Sequence, residues 1–191
     1  MMHNSPFSDA IPRILIKNIG ILGCGAIGSR IAKTVHNEMQ GICQLSGLFD
    51  IKPDKINKIT AELGLPNIYR QSYEDLLQNC DVVVEAINSD AALGLIRQAL
   101  LAKKHILVLS VGRLLQENDL FSLARENNCT LMIPSGAIAG IDAVKAASLV
   151  TINKITLTTR KPLSGFANND YIKERGIDLS KIRGEMIIFE G

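Results

Sequence analysis

Apolar residues recur along the chain in two alternating patterns, short β-branched runs and longer segments in which they follow a helical spacing. The short runs predict strands over residues 13–22, 42–50, 67–69, 81–86, 105–110 and 129–133. The helical spacing predicts intervening helices over residues 26–39, 54–63, 73–77, 91–102 and 117–127. Regular alternation of strand and helix is typical of a doubly wound parallel sheet. We therefore predict an α/β domain over residues 13–133, preceded by a flexible tail over residues 1–12.

The pattern changes in the last third of the chain. Residues 150–159 alternate with a period of two and predict a half-exposed strand, and residues 186–189 predict another. Helices are predicted over residues 141–149 and 170–175. These few helices and strands can bury only a small surface. We therefore predict an incomplete second α+β domain over residues 134–191, which is part of a substrate or dimerisation domain.

The composition is that of a globular protein, with 47% hydrophobic and 21% charged residues. The formal net charge is +2 and the basic residues are scattered among acidic ones, so we expect no nucleic-acid partner and no membrane partner. The first residues lack the pattern of a signal peptide, and no apolar run reaches the ~18 residues of a membrane span. We therefore expect a soluble, cytoplasmic protein.

The cysteines are spread along the chain without a Cys-x-x-Cys pair. They are Cys24, Cys43, Cys80 and Cys129. This spacing argues against a disulfide framework and against a zinc site, and we expect no bound metal. Free thiols in a reducing compartment fit it better.

A glycine-rich motif joins the first predicted strand to the first helix. Gly23 would allow the sharp turn, Gly25 would let the backbone approach a pyrophosphate, and Gly28 would let the helix pack on the strand. Ala26 and Ile27 would present the free amides of the helix N-terminus to the phosphates. This Gly-x-Gly-x-x-Gly in a strand-turn-helix context predicts a dinucleotide-binding Rossmann domain; the alternative is a structural glycine-rich turn.

Asp50 ends the second predicted strand, about 20 residues past the motif, where an acid would bind a ribose 2′-hydroxyl. A carboxylate there favours NAD, because it repels the 2′-phosphate of NADP. Lys52 lies two residues on and would soften that repulsion. We therefore predict NAD as the preferred cofactor, with NADP possible. The alternative is that Asp50 only caps a helix.

Other segments carry more specific information. They are Ser-Val-Gly at 110–112, Pro-Ser-Gly-Ala-Ile-Ala-Gly-Ile-Asp at 134–142, Leu-Thr-Thr-Arg-Lys-Pro at 157–162 and Phe-Glu-Gly at 189–191. With them, the chain resembles the L-aspartate dehydrogenase family over nearly all of residues 18–191. The resemblance implies an NAD(P)-dependent enzyme that makes iminoaspartate for NAD biosynthesis, or interconverts aspartate with oxaloacetate and ammonia. It also implies a homodimer.

The resemblance implies further cofactor contacts. Ala137, in the Pro-Ser-Gly-Ala segment, occupies the place of a residue that contacts the nicotinamide cofactor in the family. Ala86 belongs to a segment expected beside the nicotinamide ribose, where Ile87 is bulkier than the small residues expected. Arg113 stands where a small apolar residue is usual, either as a solvated helix-start residue or as an anion contact.

The catalytic group is not assigned. In the family the catalytic histidine follows the Phe-Glu-Gly segment, which places it beyond Gly191, and we expect this chain to end before it. The histidines present are interpreted as surface or packing residues: His3, His36 and His105. For the substrate carboxylates, the candidates are Arg160 and Lys161, which are equally consistent with a solvated strand end.

Three functions therefore remain open. The first is an aspartate dehydrogenase acting on a small-molecule substrate, of which this chain is expected to be a truncated product or a fragment. The second is a non-catalytic dinucleotide-binding module, and the third is another dehydrogenase of similar architecture, such as a sugar dehydrogenase. The third is disfavoured because the sugar enzymes carry Glu-Lys-Pro where this chain has Ser-Val-Gly at residues 110–112.

Overall fold

The computed structural model describes residues 17–115, 117–135, 140–166 and 169–190, and the predicted tail over residues 1–12 lies outside them. Its strands are β1 (Lys17–Leu22), β2 (Cys43–Phe49), β3 (Val82–Glu85), β4 (His105–Val108) and β5 (Leu131–Met132). Its helices are α1 (Ala26–Glu38), α2 (Pro53–Leu63), α3 (Tyr73–Gln78), α4 (Ala92–Leu101), α5 (Asn118–Glu126), α6 (Ile141–Ala147) and α7 (Asp170–Glu174). No helix among the described residues is long and apolar enough to cross a membrane. The chain divides into two compact units at Gly140.

The strands of the first unit form one parallel sheet in the order β2-β1-β3-β4-β5. Leu22 pairs with both Phe49 and Glu85, so the carboxyl ends of these three strands lie at one edge. The chain moves from β1 to β2 on one side and then crosses to β3 on the other. This switch point between β1 and β3 is where open α/β sheets bind their ligands. The predicted doubly wound α/β fold is therefore confirmed.

Helices cover both faces of the sheet, and each interface has its own apolar core. One core includes Leu76, Ile96 and Leu120, and the other includes Ile56 and Ile59. A central parallel strand must be apolar on both faces, which explains the unbroken valine run of β3.

One local prediction in the first unit is wrong. The predicted strand over residues 67–69 is a 3₁₀ turn, Pro66–Ile68, followed by a single bridge between Leu48 and Tyr69. Pro66 has a fixed φ and no N–H, so it favours a turn over a ladder. Helix α2 begins at Pro53, one residue before the predicted start, because proline is favoured at the first helical position.

The second unit departs further from prediction. Residues 150–159 and 186–189 form no strand, and no strand is found anywhere in the described part of residues 140–190. Ile155 and Leu157 are 59% and 62% exposed. Alternating polarity specifies which face of a strand is apolar, but a strand persists only when a neighbour accepts its hydrogen bonds and covers that face. The two strands predicted for the second domain are therefore not formed by these residues.

Candidate dinucleotide-binding site

Gly23 makes the turn at the carboxyl end of β1. Its φ is +96°, and a Cβ there would lie 2.6 Å from Cγ2 of Ile87 and 2.7 Å from the carbonyl oxygen of Ala86. Its amide donates to the carbonyl of Phe49 at 2.8 Å. Both the left-handed backbone and the crowding exclude a side chain, so the turn requires glycine.

Gly28 lies in the first turn of α1 and is buried against that same loop. A Cβ at Gly28 would lie 1.9 Å from the carbonyl oxygen of Gly23. The absence of a side chain therefore lets the helix start directly on the end of β1. This contact aims the N-terminus of α1 at the switch point of the sheet.

Gly25 is the N-cap of α1, and its surroundings are the opposite of those of Gly28. A Cβ at Gly25 would meet nothing within 4 Å, so its backbone faces open space. Ala26 and Ile27 follow as the exposed first residues of the 13-residue helix. None of the described residues in its first turn is acidic. Free amides and the positive end of the helix dipole make this edge suited to a pyrophosphate.

Asp50 directly follows β2 beside the glycine-rich turn, with its side chain only 6% exposed. Its Oδ2 accepts a 2.8 Å hydrogen bond from the amide of Cys24 and lies 3.4 Å from Nζ of Lys55. Its Oδ1 accepts from the amide of Lys52 at 2.8 Å. Two carboxylate oxygens offer about four acceptor positions, so these three donors leave one position unused.

These contacts also set the ionisation of Asp50. Burial opposes the charged form, but the two backbone amides and the Lys55 ammonium together outweigh it and lower the pKa of Asp50. The charged carboxylate is therefore the form that holds the turn in place. Its contact with the amide of Cys24 couples the end of β2 to the motif itself.

The loop after β3 forms the opposite wall of the turn. The amide of Ala86 donates to the carbonyl of Leu22 at 2.8 Å, which keeps this loop beside the end of β1. Ile87 follows, and its side chain covers Gly23. The structure thus brings Ala86 and the glycine motif together at the switch point. Ala137, also predicted to contact cofactor, lies outside the described residues.

Glu85 is a residue of this edge that the predicted site did not include. It is 0% exposed and is the one fully buried charged residue among those that the structure describes. Its Oε1 accepts from the amide of Ile87 at 2.8 Å, and its Oε2 accepts from the amide and hydroxyl of Ser110 at 3.1 and 2.7 Å. The sequence signal was an ionisable residue near the end of a β-branched run that predicts a strand.

Arg113 has a partner within the same edge. It lies in the 3₁₀ turn Val111–Leu114 after β4, and its Nη1 is 2.7 Å from Oδ1 of Asp90. Asp90 is 99% exposed, so the pair contributes at most about 1 kcal/mol. Arg113 is thus an ion-pair partner of the loop after β3.

The substrate candidates lie in the second unit. Nε of Arg160 is 3.4 Å from Oε1 of Glu185, and both side chains are largely exposed. Nζ of Lys161 lies 6.0 Å from the ring centroid of Phe166. The predicted strand end that would have presented them is not formed, so their role as carboxylate ligands stays a prediction.

The described histidines lie away from the carboxyl edge of the sheet. His36 is in the last turn of α1, at the opposite end of the helix from the glycine motif. His105 opens β4, and its Nδ1 accepts from the amide of Thr130 at 3.0 Å. These positions agree with packing and surface roles. His3 lies outside the described residues.

Gly191 is the position beyond which the family's catalytic histidine is expected. It lies outside the described residues, whose last member is Glu190. The structure therefore adds no geometry for this end of the Phe-Glu-Gly segment. The location of the catalytic histidine beyond Gly191 stays a prediction, and no catalytic residue is assigned within the chain.

Two family models match the chain. The model described as "Homoserine dehydrogenase, NAD binding domain" matches residues 23–134, and "Aspartate dehydrogenase, C-terminal" matches residues 142–191. The L-aspartate dehydrogenase of Methanosarcina barkeri is 39% identical over 176 residues, which are 91% of this chain and 65% of that relative. The one from Methanococcus maripaludis strain C6 is 33% identical, again over 91% of this chain and 65% of the relative. The chain thus spans 65% of the length of these relatives.

Solved structures of dehydrogenases share the fold. The scyllo-inositol dehydrogenase of Lactobacillus casei with bound NAD(H) and scyllo-inositol matches with a TM-score of 0.60 at 21% identity, over 83% of this chain and 49% of that one. The UDP-N-acetylglucosamine 3-dehydrogenase of Acidithiobacillus ferrooxidans matches with a TM-score of 0.57 at 24% identity, over 70% and 43%. At these identities the likeness concerns the fold alone.

Proposed function

The chain belongs to the L-aspartate dehydrogenase family, and we propose that it acts as an NAD(P)-dependent oxidoreductase of L-aspartate. The product is iminoaspartate, or oxaloacetate and ammonia after hydrolysis, and the pathway served is NAD biosynthesis. The observation that carries the proposal is the open glycine-rich turn with the Asp50 carboxylate beside it. Family membership supplies the substrate.

The bound nicotinamide would supply the hydride acceptor for C2 of aspartate. The residues of this chain do the positioning. The amides at Gly25, Ala26 and Ile27 would hold the pyrophosphate, and Asp50 would accept a hydrogen bond from the adenosine ribose. Ala86 and Ala137 would line the nicotinamide half. Such fixed placement is a large part of the catalytic effect in a two-substrate reaction.

We propose NAD as the preferred cofactor and NADP as an accepted one. The charge of Asp50 supports the preference for NAD. A cleft of about 370 Å³ next to Gly25 is lined by three lysines, Lys33, Lys55 and Lys58, and by one carboxylate, Glu62, which pairs with Lys33. This excess of positive charge supports tolerance of a 2′-phosphate. A titration in which NADPH bound at least as tightly as NADH would contradict the preference.

Assembly and location complete the proposal. We propose a homodimer, as the family resemblance implies, and measurement of the molar mass in solution tests it. The four free thiols, of which Cys24, Cys43 and Cys80 are buried, support a reducing, cytoplasmic compartment.

A second candidate function is dinucleotide binding without turnover. The described histidines, His36 and His105, both lie away from the carboxyl edge, and this favours the second candidate.

One assay separates the two functions. NADH oxidation by the purified chain is followed with oxaloacetate and ammonia, with each omitted in turn, and NADH binding is titrated in the same sample. Oxidation that requires both substrates supports the dehydrogenase. Binding without oxidation supports the non-catalytic module, and absence of binding contradicts both.

A further inference from the structure

Glu85 occupies the centre of the carboxyl edge of the sheet. It is the last residue of β3 and pairs with Leu22 of β1 on one side and Val108 of β4 on the other. Its position is therefore at the switch point, directly beneath the loops that follow these strands. A charged side chain at this depth is unusual, because it is 0% exposed.

Burial of this carboxylate has a cost that an apolar side chain would avoid. A buried charge is tolerated only when hydrogen bonds replace the water it has lost. Glu85 has such bonds, from the Ile87 amide, the Ser110 amide and the Ser110 hydroxyl. Because a well-packed apolar residue of similar volume would fill the same space, core packing alone does not account for a carboxylate here.

The partners of Glu85 belong to two different loops. Oε1 binds the loop after β3, and Oε2 binds the loop after β4. The backbone of Glu85 also contacts the end of β4, because the amide of Leu109 donates a hydrogen bond to the carbonyl of Glu85 at 3.1 Å. The first of these loops places Ala86 and Ile87 against Gly23 of the glycine-rich turn. A displacement of this loop would therefore move the wall of the cofactor site.

We infer that Glu85 is a positioning residue, whose buried carboxylate fixes both loops in the shape that receives the nicotinamide half of the cofactor. The inference rests on the proposed function, because it presumes that NAD(P) binds at this edge. It assigns no contact between Glu85 and the cofactor. Glu85 affects cofactor binding only through its hydrogen bonds to Ile87 and Ser110.

The test variant is Glu85→Gln, which keeps the shape of the side chain. Only one of its two terminal atoms, the amide oxygen, can accept hydrogen bonds. The amide NH₂ then faces an N–H or O–H donor of one loop. We expect NADH to bind about tenfold more weakly, the loss that one unsatisfied buried group causes. We also expect faster hydrogen exchange at the amides of Ile87 or Ser110.

Tyr73→Phe is the matched control. Tyr73 is also buried, and its hydroxyl donates to the carbonyl of Leu95 at 2.9 Å in the apolar core that includes Leu76 and Ile96. Its loss removes one buried hydrogen bond outside the two loops. We expect Tyr73→Phe to lower the melting temperature about as much as Glu85→Gln does. Its NADH affinity should stay within about twofold of that of the unaltered chain. Equal effects of the two variants on NADH affinity would overturn the proposal.

Ser110→Ala decides the question if Glu85→Gln does not fold. It removes the hydroxyl donor and keeps the amide donor, so we expect NADH to bind about threefold more weakly. Unchanged affinity in that variant would overturn the proposal. If the unaltered chain bound no NADH, the proposed function would fail. Hydrogen exchange measured without NADH would then still show whether Glu85 holds the two loops.

Discussion

The two units of the chain differ in how their apolar patterns are used. In the first unit, each apolar run meets a neighbouring strand or helix, and residues such as Leu48 and Ile106 are fully buried. In the second unit, Ile172 is the one described residue that is buried, while Leu157 and Phe189 remain 62% and 70% exposed. The same kind of pattern thus gives a core only where partners are present. An apolar pattern predicts a face, and the neighbouring elements determine whether that face is buried.

We expect the largest difference between the units in the loss of unfolding free energy when a glycine is replaced by alanine. Gly28→Ala places a Cβ 1.9 Å from the carbonyl oxygen of Gly23, so α1 must shift off β1. We expect the first unit to lose about 4 kcal/mol or more of unfolding free energy. Gly165→Ala in the second unit meets its nearest atom at 3.5 Å and should change stability by less than about 0.5 kcal/mol. Urea unfolding of both variants measures this, and similar losses would contradict the contrast.

Truncation of apolar side chains tests the contrast directly. Leu48→Ala removes a fully buried side chain and should cost about 3 kcal/mol. Leu157→Ala removes one that is 62% exposed and should cost less than about 0.5 kcal/mol. Thermal and urea unfolding give both values. A large loss for Leu157→Ala would show that a partner, such as a second copy, covers residues 150–159 in solution.

The sequence predicted the first unit well and the second poorly, for the same reason. Strand and helix periods are local signals, and the structure confirms the elements that they predict in the first unit, apart from the strand over residues 67–69. Burial of residues 150–159 depends on a neighbouring strand that no local signal specifies. In the site, the motif indicated Gly23, Gly25 and Asp50. The role of Glu85 depends on Ser110, 25 residues away in sequence, and only the fold brings the two together.

A substitution at Gly25 can test cofactor binding without disturbing the stability of the first unit. Its φ of −74° and ψ of −164° are open to any residue, and a Cβ would project into open space. Gly25→Val should therefore leave the fold stable and reduce NADH affinity at least about tenfold, because the side chain takes the place of the pyrophosphate. Gly94→Ala in α4 is the control, with NADH affinity unchanged. Undiminished binding by Gly25→Val would place the cofactor elsewhere.

Acid titration compares a buried carboxylate with an exposed one. The folded pKa of Asp50 is lowered, so its stabilisation is present above the unfolded pKa of about 3.9 and is lost as the pH falls through the folded value. Stability and the affinity for NAD⁺, which survives acid where NADH does not, should both decline below about pH 4, and Asp50→Asn should reduce that decline. Hydrogen bonds from Ser180 lower the pKa of Asp178 in the second unit, but that carboxylate is solvated, and Asp178→Asn should leave the profile unchanged. Identical profiles for the two variants would contradict this assignment.

Thiol labelling measures the first unit alone, because residues 140–191 contain no cysteine. Burial, reinforced by the charge of Asp50, raises the pKa of Cys24 to about 12, so the native thiol is both covered and protonated at about pH 8. Cys129 is partly exposed and should react first with iodoacetamide. Labelling of Cys24 then requires opening of the glycine-rich turn, and NADH should slow it further by closing that turn. Mass spectrometry of timed samples gives the order. Early labelling of Cys24, unaffected by NADH, would mean that the turn opens freely and that the cofactor does not bind against it.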